Sequence, residues 1–178
     1  MRLDDLPGEL ILWILIVSEI MVFMAGVSAL VINGVMDPHG FAAAQARLNG
    51  WLAALNTVVL VTSGLFAARA ERHAKAGNVR GARVALAFAA LGGLAFLGIK
   101  ALEYAHDMGA GIGIESHPFF TFYYLLTAFH AAHVLAGVGV LGLVAVRARP
   151  EGVQAGAMFW HMVDLVWVLI LPAIYLMW

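Results

Sequence analysis

Five stretches of the chain stay apolar long enough to cross about 30 Å of hydrocarbon at about 1.5 Å per residue. They are residues 10–36, 48–68, 84–102, 119–146 and 153–178. The intervals between them carry turn-forming residues: Asp37-Pro38-His39-Gly40, the polar stretch 69–83, the glycine-rich 107–118, and 147–152 with Pro150. The pattern predicts an all-α polytopic membrane protein, a five-helix transmembrane bundle making one domain over 1–178, with neither an internal repeat nor a separate soluble unit. Val27-Ser28-Ala29 resembles a signal-peptide cleavage site. However, Arg2 is outnumbered by Asp4, Asp5 and Glu9, and the apolar run is too long, so the first segment reads as a retained helix.

Composition agrees with the pattern. With 63% hydrophobic and 12% charged residues, the chain cannot cover a water-facing surface, so its solvent is the bilayer. The absence of cysteine removes disulfides, thiolate metal sites, iron–sulfur clusters and cysteine-bridged copper centres. A net charge of −1 gives no sign of nucleic-acid binding. The placement of the basic residues sets an orientation. With the N-terminus cytoplasmic, eight of the ten Lys and Arg fall inside, leaving Arg47 and Lys100 toward the outside, and the C-terminus ends in the periplasm. Trp13, Trp51, Trp178 and Tyr104 suit the aromatic belts at helix ends.

Ionisable residues inside a span are expensive and mark candidate sites. Here they are Glu19 in the first span, Glu103 in the third, His130 and His133 in the fourth, and His161 and Asp164 in the fifth. At about 100° per residue, Thr127, His130, His133 and Gly137 share one stripe of the fourth span, and Trp160, His161, Asp164, Trp167 and Tyr175 one stripe of the fifth. Both stripes are expected to face protein. Ala128, Ala132 and Ala136 follow the small-xxx-small spacing that lets backbones approach, which predicts a second packed side for the fourth span. Lys100 and Glu103, at i, i+3, read as an ion pair with the lysine snorkelling to the outer surface. For the basic stretch 69–83, topology and contact with anionic lipid suffice.

Two chemistries fit the polar residues. His130, His133 and His161, with Glu19 and Asp164, could build a transition-metal site or supply axial ligands to a b-type haem, making a small membrane metalloprotein or cytochrome. Alternatively they are hydrogen-bonded groups holding a bundle together, with His161 and Asp164 paired inside it.

Beyond single residues, five stretches resemble the subunit III family of the haem-copper oxidases, one per span and in the family's order. They are WILIVSEIMVF (13–23), LNTVVLVTSG (55–64), LGIKALEY (97–104), FHAAHVLAG (129–137) and WHMVDLVW (160–167). Many members have seven helices, and this chain resembles the five-helix form. The leader DDLPGELILW and the stretch GIGIESHPFFTFYYLLTAFHAAHV are most similar to the subunit-III-like accessory protein of nitric oxide reductase. The resemblance implies a non-catalytic accessory subunit of the bacterial inner membrane with no cofactor of its own. Haem and metal would reside in the partner, the catalytic subunit of nitric oxide reductase or otherwise of cytochrome c oxidase. It also implies phospholipid held between helix groups. On this resemblance Glu19 matches the family's buried glutamate, and Glu103, His130, His133, His161 and Asp164 match recurring polar positions that serve stability, lipid binding or proton supply.

Overall fold

The computed structural model describes residues 10–178, so the reading of the leader lies outside the described residues. Those residues form six helices: α1 (Leu10–Met36), α2 (Pro38–Gln45), α3 (Gly50–Lys75), α4 (Val79–Gly109), α5 (Pro118–Arg147) and α6 (Pro150–Tyr175). All but α2 are long and apolar enough to cross a membrane. The all-α, five-span architecture therefore stands.

The starts of the helices are chemically marked. Asp37, Asn49 and Asn78 each accept a hydrogen bond from a backbone N–H of the first turn that follows, at 3.1, 3.2 and 2.8 Å. Pro38, Pro118 and Pro150 occupy the first helical turns of α2, α5 and α6, where a missing N–H costs nothing.

Two expectations about boundaries need correcting. The polar stretch 69–83 is mostly helix: α3 runs to Lys75, and α4 starts at Val79 behind the Asn78 cap. The Asp-Pro-His-Gly break opens the short helix α2. Hydropathy marks where a helix leaves hydrocarbon, whereas hydrogen bonding lets it continue into water until a cap ends it.

Helices α3, α4, α5 and α6 form a closed ring in which each packs on its two neighbours, and α1 lies outside against α5 and α6. The buried residues of α1 are Ile16, Phe23, Leu30 and Gly34, largely a seven-residue repeat that makes one seam. Within the ring, Trp160 is fully buried and donates from Nε1 to Ser63 Oγ at 3.0 Å; Ser63 donates onward to the Ala89 carbonyl at 2.7 Å. A Cβ on Gly93 or Gly137 would collide with the Trp160 ring, so the two glycines make room for the indole. In lipid such close packing holds helices together by dispersion, since hydrocarbon gives no hydrophobic drive between them.

The predicted second packed side of the HxxH helix is absent: Ala128, Ala132 and Ala136 are exposed. The bundle also has unlike ends. One carries Arg69, Arg72, Lys75, Arg80, Arg83, Arg147 and Arg149. At the other, α2 and Trp178 close over the helix ends: Phe41 meets Trp178 at 5.3 Å, and the Trp178 amide donates to Gln45 Oε1 at 2.8 Å.

Candidate functional site: the polar groups inside the bundle

The ionisable residues picked from sequence fall into four separate surroundings. The first is the seam between α1 and α5. His133 Nδ1 lies 2.8 Å from the Phe129 carbonyl, and Nε2 lies 3.1 Å from Glu19 Oε2. A carbonyl can only accept, so Nδ1 carries a proton, and the Nε2–Oε2 contact then holds a second one, on ring or carboxyl. Either placement leaves the pair neutral overall, the cheapest state for a couple inside a bilayer. Both side chains are mostly covered, and Phe23 packs edge-on against the His133 ring at 5.5 Å.

The second surrounding is a network inside the ring near the α2 end. Lys100 is 2% exposed, not snorkelling as expected. Its ammonium donates to Glu103 Oε2 at 3.1 Å, to the Tyr175 hydroxyl at 2.9 Å and, more weakly, to the Tyr123 hydroxyl at 3.4 Å. Tyr175 donates to Glu103 Oε1 at 2.7 Å. The single Tyr123 proton is within reach of two carboxylates, Glu103 Oε1 at 3.0 Å and Asp107 Oδ2 at 3.1 Å, and can serve one at a time. Lys100 also stands 4.7 Å from the Tyr123 ring centroid, one of four aromatic faces around it. The reason it stays inside is geometric: three oxygen acceptors lie within 3.4 Å of its Nζ, and α4 extends past it to Gly109. Tyr104, placed in the belt from sequence, also turns inward, with its hydroxyl 2.6 Å from Thr127 Oγ1.

His130 makes the third. It is fully buried among Phe23, Phe96 and Trp167, with its ring stacked at 5.2 Å on the indole, and neither nitrogen has a hydrogen-bond partner among the described residues. It is therefore aromatic filling, not polar glue.

The fourth is the outer face between α3 and α6. His161 Nδ1 is 3.8 Å from Asp164 Oδ2, beyond hydrogen-bonding distance, and the imidazole side chain is 45% exposed. The expected pair inside the bundle is thus a loose one at its surface. Asp164 lies against α3, where a Cβ on Gly64 would collide with its carboxylate, and its Oδ1 is buried without a partner among the described residues.

Taken together, these placements bear on the metal and haem alternative. His130, His133 and His161 occupy three different surroundings, and among the described residues no three His, Asp or Glu side chains converge as a metal would require. Sequence reasoning missed Tyr123, Tyr175 and Asp107 as members of the ionic network. The available signal was that all three lie near helix ends at the level of Glu103 once adjacent spans are set antiparallel.

Comparison with known proteins places this arrangement. Residues 8–178 match the family model described as cytochrome c oxidase subunit III. The chain is similar to cytochrome c oxidase subunit 3 of Prototheca wickerhamii, 33% identical over 178 residues covering 90% of this chain and 65% of that protein. It is also similar to the proteins of the same name from Corynebacterium diphtheriae, 30% identical with 91% and 84% covered, and Arabidopsis thaliana, 30% identical with 90% and 64% covered. The chain thus spans slightly under two thirds of the length of the alga and plant relatives. The match runs through all five membrane-crossing helices and every polar residue described above, and the chain belongs to the cytochrome c oxidase subunit III family.

Proposed function

We propose that the chain is a non-catalytic accessory subunit that attaches, within the bacterial inner membrane, to the catalytic subunit of a haem-copper oxidase superfamily complex. The observation that carries this reading is the family match across residues 8–178. Haem and metal belong to the partner; this chain contributes stability, lipid contacts and a proton-holding pair, Glu19 with His133. The basic end of the bundle is cytoplasmic and the α2 end periplasmic, as the clustering of arginines favours.

One face is marked for attachment. His161 sits about 18 Å along α6 from Arg149, and Asp164 about 17 Å from Tyr175, so both lie inside the hydrocarbon. A half-exposed imidazole there is costly against acyl chains and satisfied by a hydrogen-bonding side chain of a neighbouring helix. Val61, Leu65, Leu165 and Val168 are exposed on the same two helices and give that helix apolar surface to lie on.

Of the two partners considered, cytochrome c oxidase has the named relatives behind it. Nitric oxide reductase rests on the likeness of the leader and of the stretch 111–134. Affinity purification of the full chain from its native membrane, followed by identification of the associated chains and metal analysis, tests the reading. Co-purification of an oxidase catalytic subunit, lost or weakened in His161→Leu, supports it; a nitric oxide reductase subunit in its place selects the second partner. Stoichiometric iron, copper or zinc on the isolated chain would overturn the accessory role.

A further inference from the structure

The α3–α4 turn is three residues long, so the C-terminal end of α3 and the N-terminal end of α4 stand side by side at the basic end of the bundle. Between them is a groove of about 450 Å³ whose lining includes Phe66, Arg69, His73, Asn78, Arg80 and Phe88. The basic residues around it are not equivalent. Lys75 pairs with Glu71 at 2.6 Å. Arg83 donates to the Ala145 and Val146 carbonyls at 3.0 and 2.7 Å, capping α5. Arg69 and Arg80 have neither an acidic partner nor a hydrogen bond among the described residues, and they are the two arginines that line the groove.

The groove is graded from apolar to basic. Phe66 and Phe88 stack at 5.2 Å with 25° between their planes, on the side toward hydrocarbon. The Arg69 guanidinium lies over Phe66, 5.5 Å from its centroid. Above it, His73 and Asn78 are 3.4 Å apart, and the lack of a side chain at Gly81 leaves room for both: a Cβ there would stand 2.7 Å from Asn78 Nδ2 and 2.8 Å from His73 Nδ1. The first turn of α4 opens at the same place and adds its positive end.

We propose that this groove is a binding site for one anionic phospholipid, its phosphate held by Arg69 and Arg80 and its glycerol and upper acyl chains lying on Phe66 and Phe88. Two free guanidiniums fit phosphate oxygens as paired donors, and a planar fork suits them better than an ammonium. The aromatic floor separates a lipid from a free phosphate, which has nothing to place on two stacked rings. The inference deepens the lipid contacts of the proposed function by naming one site and its headgroup class, and it does not depend on which catalytic subunit is the partner.

The test is native mass spectrometry of the full, delipidated chain in detergent, titrated in parallel with phosphatidylglycerol, phosphatidylcholine and inorganic phosphate. One equivalent of phosphatidylglycerol is expected to bind at least tenfold more tightly than phosphatidylcholine. Each basic contact near a membrane surface is a factor of about five, so Arg69→Gln with Arg80→Gln lowers phosphatidylglycerol affinity about 30-fold. The charge-matched pair Arg72→Gln with Arg147→Gln, outside the groove lining, changes it less than twofold. Arg69→Lys with Arg80→Lys keeps the charge, checks that the double variants fold, and falls between the two. Equal losses in both Gln pairs would reduce the effect to diffuse charge, equal binding of phosphatidylcholine would remove the anion requirement, and displacement by millimolar phosphate would make it a free-anion site. Any of these overturns the proposal.

Discussion

Glu103 and Glu19 are the same side chain in two regions of one membrane bundle, and their surroundings differ. Glu103 stands inside the α3–α6 ring, 2% exposed, with an ammonium and two phenols directed at its oxygens. Glu19 stands at the seam where α1 meets the ring, with the His133 imidazole as its hydrogen-bond partner. The ring fixes a charge by surrounding it; the seam neutralises one by lending it a single proton-sharing partner. A buried ion that is fully bonded is hard to remove without penalty, whereas a two-membered couple can lose its partner and find another.

This contrast can be broken most forcefully at Lys100. Lys100→Met leaves Glu103 and Asp107 without their cation, and the expected loss of stability in detergent is about 3–5 kcal/mol by reversible denaturation. A loss below 1 kcal/mol would mean that the network is not ionic. Tyr175→Phe deletes one bond to each charge at the same site. It is expected to cost about 1.5–3 kcal/mol, read as a fall in melting temperature.

At the seam the effects are smaller and coupled. Glu19→Leu and His133→Leu are each expected to cost about 1–3 kcal/mol, because each leaves the other partner's polar atom stranded. The double variant should cost less than the sum of the two, and additive losses would show that the contact contributes nothing. Smallest of all is His130→Phe, expected to change stability by no more than about 0.5 kcal/mol, since an aromatic ring without hydrogen bonds is exchanged for another between Phe96 and Trp167. A loss above 2 kcal/mol there would reveal a hydrogen-bond partner such as a trapped water.

The same contrast explains how far sequence could reach. Hydropathy found all five crossing helices, because an apolar run of about 20 residues in hydrocarbon satisfies its backbone internally as helix. It could not find the polar extensions of α3 and α4 or the helix at Pro38–Gln45, where hydrocarbon no longer sets the pattern and caps decide. The candidate polar residues were legible for the same energetic reason, but their partners were not. Glu19 and His133 are 114 positions apart, and nothing local joins them. His130 and His133 looked like one stripe, yet a three-residue step leaves them about 60° apart around the helix. In this bundle that angle separates the core from the seam. His161 and Asp164 had the right spacing to meet, but the missing side chain at Gly64 leaves room for the carboxylate against α3 while the imidazole faces outward.

The link between Lys100 and Tyr175 also has a meaning in time. The two residues are 75 positions apart, and a ribosome adding about 5–20 residues per second needs roughly 4–15 s to travel between them. Through that interval α4 already carries its ammonium and carboxylates, and α5 can bring Tyr123, but the second phenol arrives only with the last turn of α6. The ionic network is therefore complete only once α6 has been made, and α6 is the helix that closes it.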